Sequence, residues 1–158
     1  DIEARKSLKA EAVTKVRDFV QDYLDKDALY PNIVAVRMAI WLFDLGDMQS
    51  AVPLALYLIK QDIHKTPMEF NSDLPTFVCD TVYDWANTKL KKNEGAGPYL
   101  HHVNDIVRGK MLAMLGKHLE LSGQDELAHD AYVAALKEND GAGVKKRLGL
   151  IKKKLGNE

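Results

Sequence analysis

Two pairs of carboxylates are the first residues in this sequence whose spacing suggests catalysis. Asp80 and Asp84 lie four positions apart, as do Asp18 and Asp22, so each pair would share one face of a helix. Two carboxylates on one face can hold Mg²⁺ for phosphodiester cleavage. Nucleases usually assemble several acids in one rigid pocket, whereas these acids are spread along amphipathic helices. We therefore interpret both pairs as solvated helix faces and identify no catalytic residue.

Histidine and cysteine are the other residue types that could bind a metal or act as a nucleophile. His101, His102 and Asp105 form a cluster, but adjacent histidines on a helix point about 100° apart and no second ligand pair has metal spacing. We predict no metal site and expect exposed histidines. Cys79 lies among apolar residues and is interpreted as a core residue. A single cysteine excludes an intrachain disulfide, and phosphate-loop motifs are missing, so no cofactor is predicted.

Positive charge concentrates near the C-terminus. Residues 137–158 hold seven Lys or Arg against three Asp or Glu, whereas the whole chain has 22 basic and 23 acidic residues. The near-neutral total excludes a uniformly basic, histone-like protein. The basic segment could contact phosphates or an acidic partner, or its lysines could favour the C-terminal dipole of a helix. The candidate DNA-binding residues are Lys145, Lys146, Arg147, Lys152, Lys153 and Lys154.

The elements that must position these residues are helices. Apolar residues recur every three or four positions, and no alternating strand pattern occurs, so we predict an all-α fold of about seven helices. No apolar run reaches the ~20 residues of a membrane span, and no signal peptide is visible, so we expect a soluble, intracellular chain. The expected helices cover about 2–30, Pro31 to Gly46, 47–62, 75–90, 103–121, 125–139 and 144–155.

The domain organisation follows from these helices. We treat residues 1–158 as a single helical domain. Residues 1–92 would form N-terminal helices with a first hairpin, 93–98 a linker, and 99–158 a second hairpin with a basic C-terminal helix.

Two segments 77 positions apart share a helix–glycine–helix pattern. Gly46 corresponds to Gly123, and Ala51 corresponds to Ala128. Each segment resembles the turn and second helix of a tetratricopeptide repeat, in which glycine permits the turn and alanine permits close packing. Two copies fall short of the three stacked repeats that a solenoid needs, so two helical hairpins are the favoured interpretation. The alternative is a tetratricopeptide-like module that binds a peptide or helix.

Two blocks of residues resemble the small terminase subunit of the GpM type, which serves tailed phages that package DNA from cos sites. The first block, from Asn32 to Tyr57, contains the run WLFDLGD. The second block, from Val107 to Lys146, contains the run GAGVKK. Together the blocks span most of the chain, with order and spacing kept.

The resemblance implies a role in genome packaging within the host cytoplasm. It implies recognition of double-stranded phage DNA at the cos region and a homo-oligomeric ring. It also implies regulation of a large subunit, which carries the motor ATPase, during packaging and end formation. Family members are often described as the terminase endonuclease subunit, which leaves nuclease activity as a further alternative. Members usually extend further at both ends, and this chain begins at Asp1, so a DNA-binding element outside this sequence is left open.

Overall fold

The computed structural model describes residues 1–100, 110–138, 140 and 142–156. Within these residues the chain forms seven α-helices and no β-strand, which confirms the predicted all-α class. None of the described helices is long and apolar enough to cross a membrane. His101, His102 and Asp105 lie outside the described residues. The helices are α1 (Ile2–Asp25), α2 (Ile33–Asp44), α3 (Met48–Gln61), α4 (Leu74–Lys91), α5 (Lys110–Leu121), α6 (Asp125–Glu138) and α7 (Lys145–Lys154).

The chain divides into two compact units, residues 1–78 and 79–158, and the boundary falls within α4. In the first unit α1 packs on α2 and α2 packs on α3, whereas in the second α5 packs on α6 and α6 packs on α7. The single domain with a linker at 93–98 stays a prediction. Each unit buries its own apolar side chains, such as Val36 and Leu58 in the first and Met114 and Tyr132 in the second.

Both predicted hairpins turn at a glycine with the same local geometry. Gly46 has φ +76° and Gly123 has φ +74°, a conformation that favours glycine. The N–H of Gly46 donates to the Phe43 carbonyl and the next N–H donates to Leu42, and the bonds around Gly123 repeat this pattern 77 positions later. The repeat in sequence is therefore a repeat of a glycine-terminated helix end. The tetratricopeptide likeness itself stays a prediction.

Two helix boundaries differ from the sequence-based expectation. α1 ends at Asp25 rather than near Tyr30, because Asp27 adopts φ +45° and the N–H of Ala28 turns back to the Tyr23 carbonyl. α2 begins at Ile33, and the Asn32 side chain accepts hydrogen bonds from the N–H groups of the first turn. The expectation that Pro31 lies in that first turn is wrong, because it precedes the capping residue.

Hydrogen bonds made by the side chain of His118 hold the segment that follows α4 in the second unit. The residue is only 6% exposed. Nδ1 accepts a hydrogen bond from the Ala96 N–H at 3.0 Å, so Nε2 carries the proton that it donates to the Ala86 carbonyl at 2.9 Å. Burial lowers the pKa of His118, and the hydrogen bond to Ala86 offsets this only in part. The neutral ring is therefore the form that holds the segment.

This arrangement predicts that stability falls as the solution is acidified. Because the pKa of His118 is lower in the folded chain, the unfolded chain binds more protons as pH falls through about 6.5. We expect the unfolding free energy to fall between pH 7.5 and 5.5, and to fall less in His118→Gln. Urea titrations across this range measure the difference. Burial also lowers the pKa of His64, so part of the dependence should remain.

The matched control for that experiment is His129→Gln, which changes a partly exposed histidine of α6. It should retain the pH dependence of the unaltered chain. An equal pH dependence in the His118 variant and the unaltered chain would contradict the assigned role of His118.

A close approach of α5 and α6 depends on Gly116. Tyr132 is completely buried, and a Cβ at Gly116 would overlap its ring atoms Cδ1 and Cε1. The ring therefore occupies the space that any other residue at position 116 would fill. Gly149 in α7 is different, because a Cβ there would meet no atom within 4 Å.

We therefore expect alanine to have opposite effects at these two glycines. Gly116→Ala should lower the unfolding free energy by about 2 kcal/mol, since a packed core tolerates added volume poorly. Gly149→Ala should raise it by about 0.5–1 kcal/mol, because alanine favours an exposed helix. Thermal unfolding of both variants measures the two shifts, and a loss of stability in both would contradict the open space at Gly149.

Candidate nucleic-acid interface

All six predicted DNA-binding residues lie on α7, and all six are exposed. The helix is held to the second unit by a narrow apolar stripe. Val144 is 0% exposed, Leu148 is 8% exposed and Ile151 is 2% exposed. Their three- and four-residue spacing places them on one side of the helix, so every other direction faces solvent or a polar neighbour. α7 therefore presents most of its circumference, and its charge, outward.

Four of the six cations lie around one glycine. Lys145, Lys146, Lys152 and Lys153 occupy positions i, i+1, i+7 and i+8 relative to Lys145, and Gly149 occupies i+4. At about 100° per residue these five positions share one side of the helix, which we call the lysine face. Lys145 contacts Asp140 at 2.9 Å, but both side chains are mostly exposed, so the pair is weak. The other three lysines have no acidic partner among the described residues.

The remaining two cations, Arg147 and Lys154, lie on the opposite side of α7 and are paired. Arg147 Nη1 lies 2.9 Å from Glu120 Oε2, and Lys154 Nζ lies 2.5 Å from Asp125 Oδ2. These contacts join α7 to α5 and to the start of α6. The hydrogen bond to Glu120 raises the pKa of Arg147, whose charge is thereby secured. The sequence does not distinguish these two cations from the other four, because Glu120 and Asp125 are distant in the chain.

Glu120 also accepts a hydrogen bond from the Tyr132 hydroxyl at 2.6 Å. Burial, followed by this hydrogen bond, raises the pKa of Tyr132. One carboxylate thus receives a donor from α6 and a donor from α7. The side chain of Glu120 is only 26% exposed, so removing either donor leaves a poorly solvated charge.

The charges at the start of α7 do not help the helix to form. No side chain caps its N-terminus, and the first turn carries Lys145, Lys146 and Arg147 at the positive end of the helix dipole. Lysines in the last turn, by contrast, interact favourably with the negative end. Helix stability therefore accounts for the position of Lys152 to Lys154 but not for the charges of the first turn.

The other candidate residues give less support for a functional site. Asp18, Asp22, Asp80 and Asp84 are all exposed, and no group of three or more His, Cys, Asp or Glu side chains within the described residues could hold a metal ion. Cys79 is buried, as predicted. The expected exposure of the histidines is wrong for His118, because its two ring nitrogens bond to backbone groups.

Comparison with known proteins decides the family. The sequence model of the phage small terminase subunit family matches residues 1–113. The chain belongs to this family. The predicted resemblance is confirmed, and membership supports a role in phage DNA packaging. The match ends before α6 and α7, so the lysine face of this small terminase subunit lies outside it.

A relative in Haemophilus phage HP1 (strain HP1c1) is named probable terminase, endonuclease subunit. It is 30% identical to this small terminase subunit, and the alignment covers 69% of this chain and 42% of the relative. The chain thus spans less than half the length of that protein. No solved structure shows a significant match.

The pairing on α7 predicts different stability effects for neighbouring cations. Arg147→Gln should lower the unfolding free energy by about 1 kcal/mol, because it leaves the Glu120 carboxylate without a charged donor. Lys146→Gln removes the same charge from the next residue and should change it by less than about 0.5 kcal/mol. Urea unfolding of both variants measures the contrast. Equal losses would mean that the contact with Glu120 does not hold α7.

Proposed function

We propose that this chain recognises phage DNA at the cos region during genome packaging and that its lysine face contacts the phosphate backbone. The observation that carries the proposal is the arrangement of four exposed lysines around Gly149 on one side of α7. Each lysine that neutralises a phosphate releases a condensed counterion, which is the main source of sequence-independent affinity for DNA.

The spacing within the lysine face suits a DNA groove. Lys145 and Lys152 are separated by seven residues, which corresponds to about 10 Å along a helix. This separation is close to the ~12 Å width of the major groove, so the two lysine pairs can contact phosphates on either side of it. Gly149 lies between the pairs, and the space beside it is open, so the nucleic acid can approach the helix backbone closely.

Phosphate contacts position a protein on DNA, whereas base contacts specify the sequence. We propose that the lysine face supplies the first kind and thereby places the subunit for recognition of the cos region and for regulation of the large terminase subunit. The HP1 relative is named as an endonuclease subunit, but the described carboxylates form no three-residue cluster for a metal. For this chain we propose recognition and regulation, in the host cytoplasm.

We further propose that the chain acts as a homo-oligomer, as expected for a ring-forming small terminase. The support comes from α1, where Leu8 is 65% exposed and Phe19 is 50% exposed. These residues are eleven positions apart and therefore lie on the same side of the helix. Large apolar side chains on one side of a long helix are suited to contact a second copy.

The DNA proposal is tested by replacing Lys145, Lys146, Lys152 and Lys153 together with glutamine. We expect weaker binding to both the cos-region duplex and a scrambled duplex. The slope of log K against log salt should become shallower by about one for each lysine that contacts a phosphate. Fluorescence anisotropy across a salt series measures both quantities.

The matched control replaces four exposed lysines of the first unit, Lys6, Lys15, Lys60 and Lys65, and removes the same total charge. Its affinity should fall less and its salt slope should stay close to that of the unaltered chain. Equal slopes in the two variants would show that net charge, rather than the lysine face, determines binding.

A further inference from the structure

A recess in the second unit brings together residues from α4, α5 and α7. Its volume is about 420 Å³, and it is lined by Leu90, Asn93, Lys117, Glu120, Leu121 and Arg147. Arg147 and Gly149 point in directions about 160° apart around α7, so the recess and the lysine face lie on opposite sides of that helix. The recess is therefore a separate surface that the lysine face does not include.

The lining of the recess has two cations, Lys117 and Arg147, and one carboxylate, Glu120, so its net charge is positive. Glu120 is the acidic residue of the lining, and its carboxylate already accepts hydrogen bonds from Tyr132 at 2.6 Å and Arg147 at 2.9 Å. Arg147 is 44% exposed and retains further guanidinium donors, because one Nη group makes the contact with Glu120. Glu120 thus holds Arg147 in a fixed orientation at the edge of the recess.

Lys117 is the residue that points most clearly to a ligand. It is half-buried on α5, and it has no acidic partner among the residues that the structure describes. Because no acid among these residues neutralises its ammonium group, Lys117 is available to an anion in the recess. Lys91 and Lys92 lie beside the lining residues of α4, are exposed, and likewise make no salt bridge within the described chain. Glu94, next to Asn93, is paired with Lys89 at 2.7 Å, so the two exposed lysines add positive charge near the recess.

The geometry of the other lining residues is compatible with a small anion. Asn93 follows the end of α4 with φ +56° and is one of the lining residues, so its side-chain amide can serve as a neutral donor. Leu90 and Leu121 add apolar surface to the lining, and Leu121 is 40% exposed, so the recess is open to water. Two cations and an amide form a set that suits a phosphate group, which accepts several hydrogen bonds.

We propose that this recess binds one phosphate group of the DNA backbone, with Lys117 and Arg147 as the charged contacts and Asn93 as a neutral donor. The proposal rests on the proposed DNA-binding function and extends it to the opposite side of α7. A helix that enters a groove has phosphates on both sides. The lysine face and the recess would then contact different phosphates of one duplex.

The test is Lys117→Gln, measured by anisotropy on the cos-region and scrambled duplexes across a salt series. Loss of one phosphate contact should make the salt slope shallower by about one and reduce affinity about fivefold at 0.15 M salt on both duplexes. Lys137→Gln, which changes an exposed lysine of α6, is the matched control and should leave the slope unchanged. Equal effects of the two substitutions would overturn the proposal.

A second variant tests the recess without a change that should disturb the fold. Asn93→Gly removes the amide but retains a residue that favours positive φ, so the fold should be preserved. It should weaken binding to both duplexes by a smaller factor than Lys117→Gln and leave the salt slope unchanged, because no charge is lost. Wild-type affinity in this variant, together with a wild-type slope in Lys117→Gln, would overturn the assignment.

These measurements distinguish failure of the recess proposal from failure of the proposed function. A shallower slope in the lysine-face variant with no change in Lys117→Gln would retain the proposed function and overturn the recess. The reverse would retain the recess and overturn the lysine face. A titration of the unaltered chain with inorganic phosphate, followed by NMR shifts at Asn93 and Lys117, identifies a third case. Shifts there without any effect of Lys117→Gln on DNA binding would assign the recess to free phosphate instead.

Discussion

The shared carboxylate of Glu120 is the interaction on which the second unit depends. It lies on α5 and accepts one donor from Tyr132 on α6 and another from Arg147 on α7. The phenol can reach it only because Gly116, one turn earlier on α5, leaves room for the ring. A charge that is mostly removed from water needs both donors. Together with the apolar stripe of α7, this requirement fixes the position of that helix and hence the direction of its lysines.

The cations of α7 fall into two groups, one that is paired with acids of other helices and one that is not. Arg147 and Lys154 are paired with acids and hold the helix, whereas the lysine face keeps its charge available to solvent. The apolar stripe of α7 is narrow, so burial alone fixes the helix weakly. Two charged contacts on one side of the stripe add direction to that burial. A helix so attached can present an unfavourably charged first turn without detaching from the core.

Much of the fold is predictable from the sequence because helical periodicity and turn residues are local signals. The glycines at positions 46 and 123 located both hairpins, and the spacing of apolar residues located α6 within one residue of its end. The end of α1 was missed because Asp27, which is not a glycine, adopts the left-handed conformation there. Asn32 was likewise missed as a cap because Pro31 beside it is the stronger signal.

The sequence predicts the candidate site only as a basic segment of the chain. Composition located the basic residues of α7, but their division depends on Glu120, which lies 27 positions before Arg147. Lys117 was missed for the same reason, because nothing near it in sequence reveals that the end of α4 and the start of α7 lie beside it.

The family match covers residues 1–113 and so includes the first unit but not α6 or α7. The residues that the family model matches and the residues proposed to contact DNA on α7 therefore lie in different parts of the chain. A surface of lysines held by a few long-range contacts can change its charge without disturbing the core, because exposed side chains contribute little to stability. The recess is more constrained, since Glu120 and Arg147 serve the fold as well. Of the two surfaces, the recess would thus tie the proposed phosphate contact more directly to the packing of α5, α6 and α7.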